Sequence, residues 1–274
     1  MRDICLHKIF EAEDQLHPDS IALIDKEGSM SMTYKELDRK SDILASHLQL
    51  LGVKPDMFVG LLVDKTFAMM VSILGILKSG GAYVPMDPGF PESRIKYMVE
   101  DSGVTMLVTE MCYKELMDSI DYTDTIKKRV YVDAHIVTTG NGDDDGCNGP
   151  NTNVINLVRE VRPSNIGYLI YTSGTTGKPK GCMCNHKGAV EMIPLDWYKE
   201  HGQVGIDMVG FVSKYTFDFS SQIIFSTLGS GITISMDIKN CTIVECTLSM
   251  ASLLIDDDTK NIHFIIVGGE ACPH

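Results

Sequence analysis

Hydrophobic and polar positions along the chain alternate between two rhythms, short apolar runs of strand length and longer segments with helical spacing. Ile21–Ile24, Phe58–Val63, Val104–Val108, Val130–Val132, Ile166–Tyr171, Met208–Val212, Ile232–Ser235 and His263–Val267 read as strands. Apart from the first of these and a turn at Lys26-Glu27-Gly28, residues 1–32 read as an entry segment. Leu37, Leu44, Leu48 and Leu51 share one face of a helix that stops at Gly52. Thr33-Tyr34-Lys35-Glu36 opens it as a capping box, the Thr33 hydroxyl and Glu36 carboxylate serving otherwise unpaired N–H groups. Thr66–Lys78 is apolar almost all round, which predicts a buried helix, ended by Gly80-Gly81. Tyr83-Val84-Pro85 is extended, and Pro91 suits the first turn of a helix reaching about Asp101. Met111–Ser119, His186–Tyr198 (broken or kinked at Pro194) and Phe219–Leu228 complete the helices. Strand–helix alternation of this kind predicts an α/β fold of largely parallel sheets flanked by helices.

Thr139–Asn153 interrupts the alternation with three consecutive aspartates among glycines, asparagines and a proline, and reads as a surface loop. Apolar content of 44% is ample for a core, so wholesale disorder is excluded. A net charge of −13 argues against nucleic acid as a partner, which would need a concentrated basic face. The longest apolar stretch, Phe67–Leu77, is too short to span a bilayer, and the charged N-terminus lacks the apolar run of a signal peptide. The eight cysteines show no C-x-x-C and no other metal spacing, so no metal site is assigned. Reduced, mostly buried thiols in a cytoplasmic protein are the expectation, with no membrane partner.

The candidate chemistry sits in Tyr168–Gly181, Y-L-I-Y-T-S-G-T-T-G-K-P-K-G. A strand leads directly into Thr172-Ser173-Gly174-Thr175-Thr176-Gly177-Lys178, which packs four hydroxyls, two glycines and a lysine into seven residues. Glycines let backbone N–H groups turn toward an anion, hydroxyls donate further hydrogen bonds, and lysine supplies charge. That chemistry suits a polyphosphate, although no Walker pattern fits the stretch.

This loop resembles the signature phosphate loop of the adenylate-forming superfamily, which includes acyl-CoA synthetases, firefly luciferase and the adenylation domains of nonribosomal peptide synthetases. Other stretches agree in order. Leu6–Ala22 is similar to the start of an adenylation domain, Thr33–Leu37 to its first core helix, and Leu74–Pro91 to the peptide-synthetase form of its second core motif. Phe217-Asp218-Phe219-Ser220 resembles the family's F-D-x-S, and Gly268-Gly269-Glu270-Ala271 its G-G-E-A. The resemblance covers nearly all of residues 1–274, as one large domain incomplete at its C-terminal end and without the small C-terminal lid domain.

It implies attack of a carboxylate on the α-phosphate of ATP, giving an acyl-adenylate and pyrophosphate. The acyl group then passes to a thiol, the phosphopantetheine of a carrier domain. Thr172, Ser173, Gly174, Thr175, Thr176, Gly177 and Lys178 would embrace the β- and γ-phosphates, with Lys180 bracing the loop. Asp218 would pair with the α-ammonium of an amino acid. A carboxylate buried there would need such a cation, because an unpaired buried charge is costly; a plain cap for the following helix suits the same position. Phe219 and Gln222 would line the side-chain pocket, and Phe217 would lie near the nucleotide–substrate junction or in the core. Gly268, Gly269 and Glu270 would contact substrate or nucleotide, or simply turn the chain. His186 reads as structural. The family's Y-G-P-T-E, whose glutamate helps hold Mg²⁺, does not follow Glu270, nor do the family's ribose-binding aspartate and catalytic lysine. The expectation is therefore that residues 1–274 alone are inactive, and marginally stable or self-associating. The alternatives are a non-catalytic nucleotide-binding or interaction module, and part of an acyl-CoA synthetase taking a fatty or aryl acid.

Overall fold

The computed structural model describes residues 3–120, 125–133, 136–140, 161–172, 178–251 and 260–268. The chain begins with α1 (Leu6–Leu16), β1 (Ile21–Ile24), β2 (Ser31–Thr33), α2 (Tyr34–Leu50), β3 (Phe58–Leu62), α3 (Phe67–Ser79) and β4 (Ala82–Pro85). It continues with α4 (Glu92–Ser102), β5 (Met106–Thr109), α5 (Lys114–Ile120), β6 (Lys128–Asp133), β7 (Ile136–Gly140), β8 (Ile166–Thr172) and β9 (Lys180–Asn185). Then come α6 (His186–Glu191), α7 (Leu195–His201), β10 (Met208–Phe211), α8 (Asp218–Leu228), β11 (Thr233–Ser235), β12 (Ile243–Cys246), α9 (Leu248–Ala251) and β13 (Phe264–Val267). Two units emerge. One comprises Met1–His7 with Arg39–Gly188, the other Lys8–Asp38 with Ala189–His274.

The first unit carries a seven-stranded sheet in the order β7-β6-β5-β3-β4-β8-β9. Its five inner strands run parallel, and β7 and β9 close the edges antiparallel. On one side Val84, Met86, Ile95, Met98, Leu107, Leu169 and Tyr171 form a continuous apolar cluster. Helix α3 is buried from Ala68 to Ser79, as its all-round apolar sequence predicts. Thr66 caps it, accepting the Ala68 N–H. Gly80 ends it at φ 96°, a left-handed conformation that costs glycine nothing. The approach of α3 to α2 is close at Gly75, where an added Cβ would lie 2.7 Å from Leu44 Cδ2 and 3.0 Å from Leu44 Cβ. Gly75→Ala is expected to destabilise by about 1–2 kcal/mol in urea unfolding, overpacking outweighing the better helix propensity of alanine. Unchanged stability would mean that Leu44 yields without cost.

The second unit carries a six-stranded sheet in the order β13-β12-β10-β11-β1-β2, parallel throughout except for β2. The capping box at its α2 forms as read: Thr33 N–H donates to Glu36 Oε2 at 2.8 Å, and Glu36 N–H to Thr33 Oγ1 at 3.2 Å. Tyr34, fully buried, donates its hydroxyl proton within reach of the Leu228 and Ile232 carbonyls at 3.2 and 2.9 Å, tying α2 to the end of α8 and the entry to β11.

Several readings change. The entry segment is helical over Leu6–Leu16. The loop assigned to Thr139–Asn153 begins later, because Thr139 and Gly140 pair with Val130 and Arg129 in β7; residues 141–153 lie outside the described residues. Strands β9 and β12 carry sequence that showed no clean period. The described cysteines are not mostly buried. Among the six described, Cys5, Cys241 and Cys246 are buried, Cys184 is half-buried, and Cys112 and Cys182 are exposed; none of the six forms a disulfide.

Candidate functional site

Strand β8 is the parallel strand from which the candidate phosphate loop departs. Five of its seven residues are buried, and it pairs with β4 through Tyr168 and Tyr83. Thr172, its exposed last residue, pairs with Lys180, the first residue of β9. The loop is therefore the connection of a β-hairpin at the carboxyl end of a sheet strand, where ligand-binding loops of α/β sheets sit. Of the residues assigned to phosphate, Thr172, Lys178 and Lys180 are described; Ser173, Gly174, Thr175, Thr176 and Gly177 lie outside the described residues. The Thr172 hydroxyl reaches the Lys180 carbonyl at 3.5 Å, so Lys180 closes the stem through its backbone.

A tyrosine pair flanks that stem. Tyr171, on β8, donates to Asp101 Oδ2 at 2.7 Å, and Tyr97, on α4, donates to Asp101 Oδ1 at 3.3 Å. The two rings meet edge to face at 6.4 Å. Burial, then hydrogen bonding to Asp101, raises the Tyr171 hydroxyl above its ordinary range; burial and the Asp101 charge do the same for Tyr97. Both stay protonated donors. The Lys178 ammonium lies 5.9 Å from the centre of the Tyr97 ring, at cation–π range.

His186, first residue of α6, has the structural place its position suggested. It is fully buried, and its Nδ1 accepts the Leu6 N–H at 3.2 Å, which puts the proton on Nε2. Burial pushes it down to about 4, so it is neutral.

The candidate substrate residues belong to the second unit. Phe217 precedes α8 in an extended conformation and is half-buried. Asp218 is exposed, and its Oδ1 accepts the N–H of Phe219 at 2.8 Å. The burial argument for a cationic partner therefore fails: an exposed carboxylate is solvated without one. Phe219 is buried and lies against Gly268, where an added Cβ would come within 2.6 Å of the ring; only glycine fits beside this phenylalanine. Gln222, half-buried, stands one turn after Asp218 on the same face of α8. The structure thus brings Phe219 and Gly268 together, whereas Gly269 and Glu270 lie outside the described residues.

Sequence reasoning missed Glu245. It sits at the middle of β12, fully buried, where Oε1 accepts the Tyr198 hydroxyl proton and that of Ser226 at 3.3 Å. Its Oε2 has no hydrogen-bond partner among the described residues. Burial pushes the carboxyl up to about 7. The available signal was one acid inside the apolar run Ile-Val-Glu-Cys.

Asp64, Glu110 and Cys112 bring ligand atoms within 4.8 Å of one another. The group is largely exposed, Glu110 Oε2 already accepts the Asp64 N–H at 2.6 Å, and a thiol is a poor partner for Mg²⁺.

The family model described as "AMP-binding enzyme" matches residues 10–273. The chain belongs to the AMP-binding enzyme family. Among curated members it is 37% identical over 224 residues to polyketide synthase PksN of Bacillus subtilis (strain 168), covering 81% of this chain and 4% of PksN. It is 36% identical over 232 residues to tyrocidine synthase 3 of Brevibacillus parabrevis, covering 84% of this chain and 3% of that synthase. The chain thus spans a few per cent of the length of these relatives. Among solved structures, the nonribosomal peptide synthetase FmoA3 in its alpha-methyl-L-serine-AMP bound form shares the fold, with a TM-score of 0.78 at 23% identity, over 99% of this chain and 31% of that one. The adenylation-domain resemblance of the motifs holds, and the two largely parallel sheets with flanking helices are those of the N-terminal part of such domains. No helix of the described residues is long and apolar enough to cross a membrane.

Proposed function

We propose that residues 1–274 form the polyphosphate-gripping part of an enzyme that activates a carboxylic acid, specifically an amino acid. The product is the acyl-adenylate, formed with pyrophosphate release and passed to a carrier protein's phosphopantetheine thiol. The observation that carries this reading is the β8–β9 hairpin, a stem aimed from the end of a buried parallel strand, with Lys178 exposed beyond it. It stands in a chain that the AMP-binding enzyme model matches almost end to end. Lys178 and Thr172 offer an ammonium and a hydroxyl to an anion, and the intervening Ser173–Gly177 segment adds hydroxyls and glycine N–H groups.

The amino-acid assignment is supported by the alpha-methyl-L-serine-AMP carried by the FmoA3 structure and by the place of Asp218 ahead of Phe219 and Gln222. An exposed Asp218 carboxylate is free to take an α-ammonium, and the Phe219–Gly268 contact gives the neighbouring wall an apolar, tightly fitted surface. ATP supplies the adenylyl group, and Mg²⁺ would shield its phosphate charge; the Asp64–Glu110–Cys112 group does not suit that ion. Reduced thiols at the six described cysteines suit the cytoplasm.

Calorimetric titration of MgATP and of pyrophosphate into the chain tests the reading. Saturable binding of both is expected, weakened at least about tenfold by Lys178→Met, since a charge-assisted contact to phosphate is lost. Flat titrations, or affinities indifferent to Lys178→Met, would contradict it.

A further inference from the structure

We infer that Tyr97 is a positioning residue for Lys178: its ring, oriented through Asp101 against Tyr171, holds the ammonium ready for the anion that the hairpin receives. This rests on the polyphosphate reading and adds to it a residue outside the loop. The contact is built from elements far apart in sequence. Tyr171 and Asp101 are 70 residues apart and joined at 2.7 Å, and Asp101 holds the Tyr97 hydroxyl with its other oxygen. Tyr97 and Asp101 stand one turn apart on α4, whose Ile95, Met98 and Val99 are buried. That helix is therefore fixed, and so is the ring. Lys178, by contrast, is an exposed side chain with four rotatable bonds, beyond the last paired residue of β8.

A freely rotating lysine loses rotamer entropy when it binds phosphate. A ring that already restricts it removes part of that loss and keeps the charge over the stem. An exposed cation–π contact is worth about 0.5–1 kcal/mol, so the expected effect on affinity is roughly two- to fivefold. Because both tyrosine hydroxyls point at Asp101, the ring face, and not a phenolic oxygen, is what Lys178 meets.

The test is a double-mutant cycle on MgATP affinity with the 274-residue chain. Tyr97→Leu is expected to weaken binding two- to fivefold, and Tyr97→Phe, which keeps the ring, to recover most of that loss. In a Lys178→Met background, Tyr97→Leu should change nothing further. An equal loss with and without Lys178 would show that Tyr97 acts on the fold alone and would overturn the proposal, as would tighter binding in Tyr97→Leu. If the wild-type chain and Lys178→Met bind MgATP alike, or neither binds, the polyphosphate reading falls and the proposal with it. A ligand-free readout separates the two failures. With lysine labelled at ¹³Cε, the Lys178 methylene should be shifted upfield by the ring and return downfield in Tyr97→Leu. No such change would refute the contact itself, whatever the affinity.

Discussion

Glu245→Gln is expected to abolish a loss of about 3 kcal/mol that the wild-type protein suffers between pH 4.5 and 7. The carboxyl is fully buried, and burial raises it from 4.5 to about 7. The folded state therefore binds a proton more tightly than the unfolded chain. Its contribution is fully present below pH 4.5 and is lost as pH rises toward 7, every tenfold difference in proton affinity between the two states being worth about 1.4 kcal/mol. The hydrogen bonds from Tyr198 and Ser226 favour the ionised form but do not outweigh desolvation. Glutamine keeps the accepting oxygen without the charge. His186 has the opposite slope. Lowered to about 4 by burial, it contributes stability that is present above pH 6.5 and lost as pH falls toward 4. Urea unfolding across pH 4–8 reads each group as the difference between variant and wild type. A Glu245→Gln difference that does not change with pH would show that the carboxyl ionises as easily in the fold as outside it.

Asp42→Ala is expected to cost about 3–5 kcal/mol, because it breaks an ion pair whose ammonium is buried in the core. Lys78 Nζ is fully buried and 2.9 Å from Asp42 Oδ1, while the Asp42 side chain keeps 17% of its exposure. The two ends are thus unequal: the Asp42 side chain reaches water and that of Lys78 does not. Lys78→Met should cost less than Asp42→Ala, and the double replacement Lys78→Met with Asp42→Leu should recover most of the loss, since apolar side chains of similar volume often replace a buried pair without penalty. Equal costs for the two single variants would mean that the packing of both side chains, rather than the burial of the Lys78 end, sets the energy.

What could be read from sequence was local. The Thr33–Glu36 box and the Gly80 stop are contacts within a few residues, and each forms where its pattern lies. Strand β8 was legible too, as a strand running into a Gly/Thr/Lys connection, whereas the returning β9 was not. What escaped depends on distant partners. Strand β12 reads as Ile-Val-Glu-Cys, four residues with an acid among them, and becomes a strand because β10 and β13 flank it. Glu245 is tolerated there because Tyr198, 47 residues away, turns its hydroxyl inward. Tyr97 gave no sequence signal as a partner for Lys178, since α4 and the hairpin meet only in the folded sheet. Asp218 shows the reverse: its motif was legible, but its exposure was not, and the argument from a buried charge went with it.

The most direct test of amino-acid activation is the binding of two stable sulfamate mimics of an acyl-adenylate. They share one side chain and differ only in having or lacking the α-ammonium. The account predicts that the mimic with the ammonium binds at least about tenfold more tightly, a charge-assisted contact being worth about 1.5–3 kcal/mol, and that Asp218→Ala erases the difference. Equal affinities in the wild type, or tighter binding of the mimic without the ammonium, would contradict amino-acid activation and favour a simple carboxylic acid as the substrate.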